Sequence, residues 1–455
     1  MSNTTSVTDP MQVDAKTIRP ALPAPVPGIA RRVHLLGAGG AGLSGAALLL
    51  AARGHEVSGH DRAGSRFVEA LRARGVDVGL GASTAQALPD DAGTIVRSAA
   101  VPLDDPQVVE ARRRGLPVLK YSELVGLVAP ARRTLAVAGT HGKTTTSWML
   151  YYALRGIAEA AGRGAAQPGA LVGGTCRAIG SNAVVPQPGG WFSVEACEYD
   201  RSFLQIAPEG AVVTNVEPDH LDYYGDVAAL EDAFARFVDR VHPDGLLVVG
   251  RDVPEKIVSA SPCTVWRLGR EIHVDLAGEN HGFFRFRLRG PGWATPTVEL
   301  EVPGSFNVEN AALALALAVG LVAREWRLDP DEAADAAARA VHRYRGAERR
   351  FEPWGTVGGV ELVHDYAHHP TEVRATLGAA RRTFPGKPLH VLFQPHQHSR
   401  TARFLDDFVD SLRGTGARRR TRRQPPGIGA RPVRELDLGQ RGADPRRGRH
   451  RPREE

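Results

Sequence analysis

Cysteine is scarce in this chain of 455 residues, and its three copies are widely spaced at Cys176, Cys197 and Cys263. An odd number at such spacing indicates neither a disulfide framework nor a zinc site, and it is typical of a protein from a reducing cytoplasm. No stretch of about 18 apolar residues occurs, so we expect no membrane span. Residues 1–28 are polar and rich in proline, lack the pattern of a secretion signal, and predict a disordered leader.

Lysine is also scarce. The chain has 57 basic residues but only five lysines, so a lysine inside a glycine-rich loop is notable. The formal net charge is +6, yet residues 413–455 hold 14 arginines against five acidic residues, which leaves a net charge of −3 on the rest. A mildly acidic body gives no electrostatic case for nucleic-acid binding. The arginine-rich stretch has no apolar periodicity, and we expect it to be disordered rather than to complete a parallel sheet.

The most informative segment is residues 134–154. An apolar run over residues 134–138 predicts a buried strand, and residues from 146 onward predict a helix. The turn between them consists of Gly139, Thr140, His141, Gly142, Lys143, Thr144 and Thr145. Glycine lets backbone N–H groups approach phosphate oxygens, and the N-terminus of a helix adds positive potential. Lys143 can reach the β- and γ-phosphates and the Thr144 hydroxyl can ligate Mg²⁺, so the segment predicts a triphosphate site rather than an ordinary turn with an exposed lysine.

A second glycine-rich turn lies near the start of the chain. A strand over residues 32–36 is followed by the turn Gly37-Ala38-Gly39-Gly40-Ala41-Gly42, a helix to residue 53 and a strand that ends at Asp61. A G-x-G-x-x-G turn with an acidic residue about 20 positions later is the dinucleotide fingerprint. By itself it is weak evidence for NAD, because the same turn would hold any diphosphate on a helix N-terminus. Strands and helices continue to alternate, and we place the first domain at residues 29–131.

Candidate metal ligands follow two later strands. Glu195 and His220 each come directly after a predicted strand, where an open α/β sheet places its ligands. Because Mg²⁺ prefers oxygen ligands, Thr144 and Glu195 suit it, and His220 can join if a second metal ion binds. The alternative is that Glu195 caps a helix and His220 is a hydrogen-bonded turn residue. We place this central domain at residues 132–342.

Three further groups are candidates for ligand binding. Asn307 and Asn310 lie on one turn of a predicted helix, and their amides suit an adenine edge, although from these residues alone capping of the helix by Asn307 is the preferred explanation. Residues 365–369 follow a strand and predict a substrate contact or a structural network rather than a metal site. Arg350 can bind a phosphate or carboxylate, or be a solvated charge. The last two groups belong to a third α/β unit at residues 343–412, of which only the first half is recognisable.

Seven ordered motifs between residues 32 and 410 resemble those of the Mur ligase family. The family motifs are G-x-G-G-A-G-x-S-G at Gly37–Gly45, G-T-H-G-K-T-T at Gly139–Thr145, E-A-x-E-x-D at Glu195–Asp200, T-N-x-x-x-D-H-x-D at Thr214–Asp222, P-G-x-H-N-x-x-N-A at Pro303–Ala311, D-Y-A-H-H-P-T-E at Asp365–Glu372 and F-Q-P-H-x-x-S-R-T at Phe393–Thr401. Seven motifs in the family's order make chance or a mere likeness of fold very improbable.

The resemblance implies an α/β fold of three domains: a Rossmann-like UDP-binding domain, a central P-loop ATPase domain and a Rossmann-like C-terminal domain that is truncated here. It implies a cytoplasmic ligase of peptidoglycan synthesis that uses ATP and Mg²⁺ to join L-alanine to UDP-N-acetylmuramate. ATP would phosphorylate the muramoyl carboxylate, and the alanine amine would then attack the acyl phosphate. It implies small-molecule substrates, no nucleic-acid or membrane partner, and a monomer or homodimer.

The resemblance also implies a role for each candidate residue. The UDP substrate would contact Gly37, Gly39, Gly40, Ala41, Gly42, Ser44, Asp61 and Ser98. ATP would contact Gly139, Thr140, His141, Gly142, Lys143, Thr144, Thr145, Asn307, Asn310, Arg350 and Asp365. Catalysis would rest on Lys143, Thr144, Glu195 and His220, of which the last three would ligate magnesium. The amino-acid side would hold His368 and His369.

Three departures from the family pattern bear on this interpretation. Phe306 stands where the family has a histidine beside the adenine. No lysine occurs between Lys143 and Lys256, so the carbamylated lysine of several sister ligases is absent, which favours the alanine-adding branch. The family's third domain continues well past residue 410, whereas here the arginine-rich stretch resembles translation in a wrong reading frame of GC-rich DNA.

Four alternatives stay open on the sequence. One is the ligase that joins a recycled tripeptide to UDP-N-acetylmuramate, which shares nearly all the motifs. Another is a truncated protein that binds the substrates but is inactive. A third is an NAD-dependent oxidoreductase, which the Gly139–Thr145 loop disfavours. The fourth takes the arginine-rich stretch as a nucleic-acid-binding arm.

Overall fold

The computed structural model describes residues 25–130, 132–395 and 398–413, and the backbone of residues 418–421. The first domain is a parallel five-stranded sheet in the order β3-β2-β1-β4-β5, with helices on both faces. Its elements are β1 Arg32–Leu36, α1 Ala41–Ala52, β2 Glu56–Asp61, α2 Arg66–Arg72, β3 Asp77–Leu80, β4 Thr94–Arg97, α3 Pro106–Arg113, β5 Val118–Lys120 and α4 Tyr121–Val128. Residues 1–24 of the predicted leader lie outside the described residues, whereas Val26 is buried and its N–H donates to His55 Nε2. The prediction of disorder up to residue 28 is therefore wrong for residues 25–28.

The central domain contains a seven-stranded sheet in the order β12-β11-β10-β6-β9-β7-β8, parallel except for β8. Its elements are β6 Thr134–Ala138, α5 Lys143–Ala160, β7 Gly169–Cys176, β8 Ser181–Val184, β9 Phe192–Glu195, β10 Gly210–Val213, α6 Leu221–Tyr224, α7 Val227–Val238, β11 Leu246–Val249, α8 Glu255–Val258 and β12 Thr264–Arg267. An antiparallel sheet and three helices follow: β13 His273–Asn280, β14 Phe283–Gly290, β15 Trp293–Ala294, β16 Val298–Glu299, α9 Phe306–Ala318, α10 Arg324–Trp326 and α11 Pro330–Val341.

The core of the central domain follows from its apolar strands. Every residue of β6, β10 and β11 is buried, as expected for parallel strands covered on both faces. Helices α5 and α9 pack on this sheet, and α11 packs against α5. A π-helical turn at Val319–Ala323 joins α9 to α10, and the continuous helix Phe306–Trp326 is long and apolar enough to span a membrane. Of its most apolar window, 83% is buried inside the protein, which is typical of a core helix.

Two strands were not expected from the sequence. The Gly/Ala-rich residues 162–169 predict a surface loop, and the sequence predicts no strand between them and residue 191, yet β7 and β8 complete the central sheet. Helix α5 also begins at Lys143 and not at the predicted Thr146. Consecutive β-branched residues disfavour a helix only weakly, and burial of Thr144, Thr145 and Thr146 against the sheet outweighs that preference.

The third part of the chain forms two small sheets in the described residues. Its elements are β17 Glu352–Val357, β18 Val360–His364, α12 Pro370–Thr383, β19 His390–Phe393, α13 His398–Arg403, α14 Leu405–Arg413 and β20 Arg418–Thr421. β17 and β18 pair as an antiparallel hairpin, and β19 pairs in parallel with β20. The prediction that nothing after residue 412 contributes to a parallel sheet is therefore wrong for residues 418–421. The remainder of the arginine-rich stretch lies outside the described residues.

Candidate active site

The glycine loop after β6 has a backbone that only glycine tolerates. Gly139 has φ +135° and Gly142 has φ +82°, both in the region that disfavours other residues. A Cβ on Gly139 would overlap the hydroxyl of Thr214, and a Cβ on Gly142 would overlap the amide oxygen of Asn310. Helix α5 begins at Lys143, so the unpaired N–H groups of its first turn face the loop and can bind an anion.

Lys143 is held inside this loop by three acceptors. Its amine donates to the carbonyl oxygens of Gly139 (2.6 Å) and Thr140 (2.9 Å), and it pairs with the Glu198 carboxylate at 2.8 and 3.0 Å. Burial works against the charged amine, but Glu198 outweighs it and raises the pKa of Lys143. The lysine is therefore positively charged and directed at the loop. Glu198 was not singled out from the sequence, although it lies inside the motif that begins at Glu195.

Thr144 and Glu195 meet as the sequence predicts. The Thr144 hydroxyl lies 3.1 and 3.2 Å from the two carboxylate oxygens of Glu195, which also accepts from the N–H of Gly173 at 2.8 Å. The two come together because β6 and β9 are neighbours in the sheet. A hydroxyl and a carboxylate beside a phosphate loop fit Mg²⁺. Glu195 ends β9 and caps no helix, so the alternative interpretation of Glu195 as a helix cap is wrong.

His220 lies on the other side of Glu198. Its Nε2 is 4.0 Å from Glu198 Oε1 and 3.8 Å from Asp219 Oδ2, and its backbone has φ +51°. Burial lowers the pKa of His220. Its Nδ1 is buried and has no hydrogen-bond partner among the described residues. This orphaned nitrogen is a candidate ligand for the predicted second metal ion. The backbone of His220 is also hydrogen-bonded in a turn, as the alternative predicts, because its N–H donates to Asp219 and its carbonyl accepts from Tyr223 and Tyr224.

A cleft opens beside the loop. Among its lining residues are His141, Gly142, Thr145, Asn307, Asn310, Arg350 and Asp365. Both asparagines are buried, and the Asn310 amide donates to Asn307 Oδ1 at 3.0 Å. The N-cap of α9 is Ser305, so capping by Asn307 is wrong. Phe306 also lines the cleft and presents an apolar ring there.

Arg350 lies on a strained segment between the central domain and the third. Its neighbours Arg349 and Phe351 have φ +58° and +46°. Arg350 pairs with Glu372 at 3.7 Å. Burial lowers the pKa of Arg350, but the Glu372, Asp365 and Glu195 carboxylates together outweigh it and raise that pKa. The Asp365 carboxylate accepts from the N–H groups of Phe351 and Ala367, both at 2.7 Å. Arg350 is thus part of a network and not a solvated charge.

His141 connects the phosphate loop to the third domain. Its Nδ1 lies 3.2 Å from Glu372 Oε1, and its Nε2 lies 3.5 Å from Glu217 Oε2. Burial opposes protonation, but the two neighbouring carboxylates outweigh it and raise the pKa of His141 to about 9. The His141 imidazole in turn lowers the pKa of Glu217 to about 2. Neither Glu217 nor Glu372 was singled out from the sequence. Glu217 meets His141 only in the folded central domain, and Glu372 meets it only where the third domain contacts the loop.

The third domain presents its histidine pair at the start of α12. His369 is the N-cap, and a ring nitrogen accepts from the N–H of Thr371 at 3.4 Å. The N–H of His368 donates to Glu372 at 3.0 Å. Burial lowers the pKa of both histidines. A buried ion pair further along the chain, Arg400 to Asp219 at 2.6 Å, also joins the two domains.

The first glycine turn is built at the carboxyl ends of β1, β2 and β4. Gly37 has φ +84°, and its N–H donates to the carbonyl of His60. Asp61, at the end of β2, accepts from the N–H of Gly39 at 2.8 Å, so its carboxylate braces the turn. Ser98 follows β4 and lies beside Gly37, where an added Cβ would be 3.1 Å from the Cβ of Ser98.

The other residues of this turn lie at the start of α1. Gly40 is the N-cap of α1, and its carbonyl accepts from the N–H of Ser44. The carbonyl of Ala41 accepts from the Ser44 hydroxyl and from the amide of Asn182 on β8. At Gly42 a side chain would overlap the ring of Tyr121. All eight predicted UDP-site residues therefore lie at one edge of the sheet, and Asn182 connects that edge to the central domain.

Comparisons with known proteins agree with this architecture. The family models match in order: Mur ligase family, catalytic domain, at residues 32–133; Mur ligase middle domain at residues 137–318; and Mur ligase, glutamate ligase domain, at residues 349–430. A UDP-N-acetylmuramate–L-alanine ligase from Kineococcus radiotolerans is 44% identical over 403 residues, which cover 86% of this chain and 81% of the relative. The predicted three-domain α/β fold is confirmed.

Two solved structures are similar to this chain. The UDP-N-acetylmuramate–alanine ligase of Thermotoga maritima has a TM-score of 0.68 at 23% identity, over 84% of this chain and 83% of that one. The Neisseria ligase for UDP-N-acetylmuramate and L-alanyl-γ-D-glutamyl-meso-diaminopimelate has a TM-score of 0.58 at 27% identity, over 70% of this chain and 99% of that one. At 23% identity, the likeness to the Thermotoga maritima structure shows the fold alone.

Proposed function

The chain belongs to the Mur ligase family, and on that premise we propose that it joins L-alanine to UDP-N-acetylmuramate with conversion of ATP to ADP and phosphate. The choice of alanine follows the curated relative at 44% identity, which is a UDP-N-acetylmuramate–L-alanine ligase. The chain spans about four fifths of that alanine ligase's length. We place the reaction in the cytoplasm, where the nucleotide substrates are made.

The observation that carries this proposal is the convergence of three side chains at the start of α5. Lys143 is charged and directed into the loop, and Thr144 faces Glu195 at 3.1 Å. Together with the free N–H groups of the helix, they form a cradle for a triphosphate. Magnesium held by Thr144 and Glu195 would neutralise charge on the phosphates, and His220 is positioned to hold a second ion.

The first step transfers the γ-phosphoryl group to the muramoyl carboxylate. A bond forms between a carboxylate oxygen and the γ-phosphorus, the bond from that phosphorus to the β-bridging oxygen breaks, and ADP leaves. Lys143 and the loop amides would hold the phosphates in line and offset the charge that spreads over the equatorial oxygens. The glycine turn at Gly37 would bind the diphosphate of the sugar nucleotide at the edge that Asn182 connects to the central domain.

The second step forms the amide bond. The alanine amine attacks the carbonyl carbon, phosphate leaves, and the amine loses a proton. His368 and His369 lie at the start of α12, where the third domain faces the phosphate loop through Glu372. The third domain would therefore bring the amino acid to the face of the loop that holds the acyl phosphate, and closure would exclude the water that hydrolyses it.

ADP release by the purified chain tests the proposal. With MgATP and UDP-N-acetylmuramate present, we expect ADP release only when L-alanine is added. Glycine, L-serine and the tripeptide are each tested separately in place of L-alanine. Lys143→Ala should abolish release, whereas Lys256→Ala, an exposed lysine paired with Asp232, should not change it. Preference for the tripeptide would support the recycling ligase instead. Binding of both nucleotides without turnover would support a binding-competent, inactive protein.

A further inference from the structure

A group of three potential metal ligands lies where the third domain meets the phosphate loop. This interface cluster consists of His141 from the loop, Glu217 from the segment after β10, and His369 at the start of α12. One ligand atom from each residue lies within 4.8 Å of the other two. Glu217 Oε2 is central, at 3.5 Å from His141 Nε2 and 3.8 Å from His369 Nδ1. The cluster is separate from the Thr144–Glu195 pair that suits magnesium.

The imidazoles of the cluster have unused nitrogens. His369 is only 4% exposed, and its Nε2 is buried without a hydrogen-bond partner among the described residues. The same holds for His141 Nε2, whose distance from Glu217 is too long for a good hydrogen bond. A buried polar group without a partner is costly, so two such nitrogens on neighbouring imidazoles call for an explanation. The two rings lie 4.7 Å apart, centroid to centroid.

The surrounding residues orient the cluster as they do in metal sites. His141 presents its other nitrogen, Nδ1, to Glu372 at 3.2 Å. Thr371 donates its hydroxyl to Glu217 Oε2 at 2.7 Å. A metal-binding histidine typically donates its second ring N–H to a carboxylate, and ligating carboxylates are themselves hydrogen-bonded. This outer shell directs His141 Nε2 toward Glu217 and His369.

We propose that the interface cluster binds a divalent transition-metal ion such as Zn²⁺, which joins the third domain to the phosphate loop. Two imidazoles and one carboxylate suit zinc and leave a fourth position for water. Magnesium prefers oxygen ligands and is disfavoured here. Because two ligands come from the central domain and one from the third, the ion stabilises the arrangement in which these domains touch.

Metal binding to the full chain tests this proposal with a readout independent of catalysis. Co²⁺ replaces Zn²⁺ in such sites, and we expect intense visible bands typical of four or five ligands, with no thiolate charge-transfer band because the cluster has no cysteine. Equilibrium dialysis against Zn²⁺ in excess Mg²⁺ should leave one ion per chain. At a hundredfold excess over Kd, Zn²⁺ should raise the unfolding temperature by roughly 5 °C or more.

Matched variants locate the ion. Glu217→Gln and His369→Gln should lose both the Co²⁺ bands and the Zn²⁺-dependent rise in unfolding temperature. His220→Gln, at the predicted magnesium site, and His342→Gln, near the surface, should keep them. Retention of the bands in both cluster variants, or weak octahedral bands in the wild type, would overturn the proposal. The wild-type spectrum decides the matter even if a variant fails to fold.

Discussion

Replacement of Lys143 by alanine should affect stability as well as activity. In the wild type the lysine neutralises Glu198, whose side chain is only 2% exposed. Without the amine, no lysine or arginine among the described residues lies within 4 Å of that carboxylate, and the nearest basic side chain is His220 at 4.0 Å, whose pKa is lowered by burial. Removal of one partner of a buried ion pair costs about 3–5 kcal/mol. Turnover should also fall by at least about 10²–10³, the typical loss for one donor that stabilises transition-state charge.

A second substitution separates the two effects. Glu198→Gln in the Lys143→Ala background removes the buried charge and should recover most of the stability but none of the ADP release. Urea unfolding can follow the central domain through its buried Trp148 and Trp191. The reasoning is refuted if Lys143→Ala is as stable as the wild type, or if the double variant is no more stable than the single one. Unchanged ADP release in Lys143→Ala would refute the proposed function itself.

Three other outcomes follow from the described geometry. Protonation of His141, whose pKa is raised to about 9, stabilises the folded state by at most about 3 kcal/mol below about pH 6.5. This stabilisation should disappear between about pH 6.5 and 9. The free energy of unfolding of His141→Gln should not show that decrease over the same range. The lowered pKa of Glu217, about 2, gives stability present above about pH 4.3 that is lost as the pH falls toward 2, and Glu217→Gln should lack this acid-side change. Gly142→Ala should raise the KM for ATP, because φ is +82° and a Cβ would overlap Asn310, whereas Gly164→Ala, in open space, should leave KM unchanged.

The sheet that carries the phosphate loop could be predicted because its strands are short apolar runs bounded by glycine or charge. β6 matches the predicted segment 134–138, and the apolar run at residues 210–214, which predicts a strand, forms β10 at Gly210–Val213. β7 was missed because G-A-L-V-G-G-T-C has two glycines in its middle and looks like a loop. Its strand conformation comes from pairing with β9. Tertiary pairing outweighs local preference here, as is common for strands.

Among the site residues, those with a fixed local geometry could be predicted. Thr144 and Glu195 follow from the rule that ligands gather at the carboxyl ends of parallel strands. The carboxylates that complete the site could not be predicted in the same way. Glu372 acts on His141 from 231 positions away, and Glu198 becomes important only because Lys143 points toward it.

The sequence by itself determined the family, the two glycine turns and the lysine that one of them holds, because these depend on residues close together in the chain. The meeting of the domains was decided only by the tertiary structure. The contacts of His141 with Glu217 and Glu372, and the buried pair of Arg400 with Asp219, join segments that no local pattern relates. Such charges are paired only when two surfaces meet and exclude water, and that exclusion is a property of the folded chain.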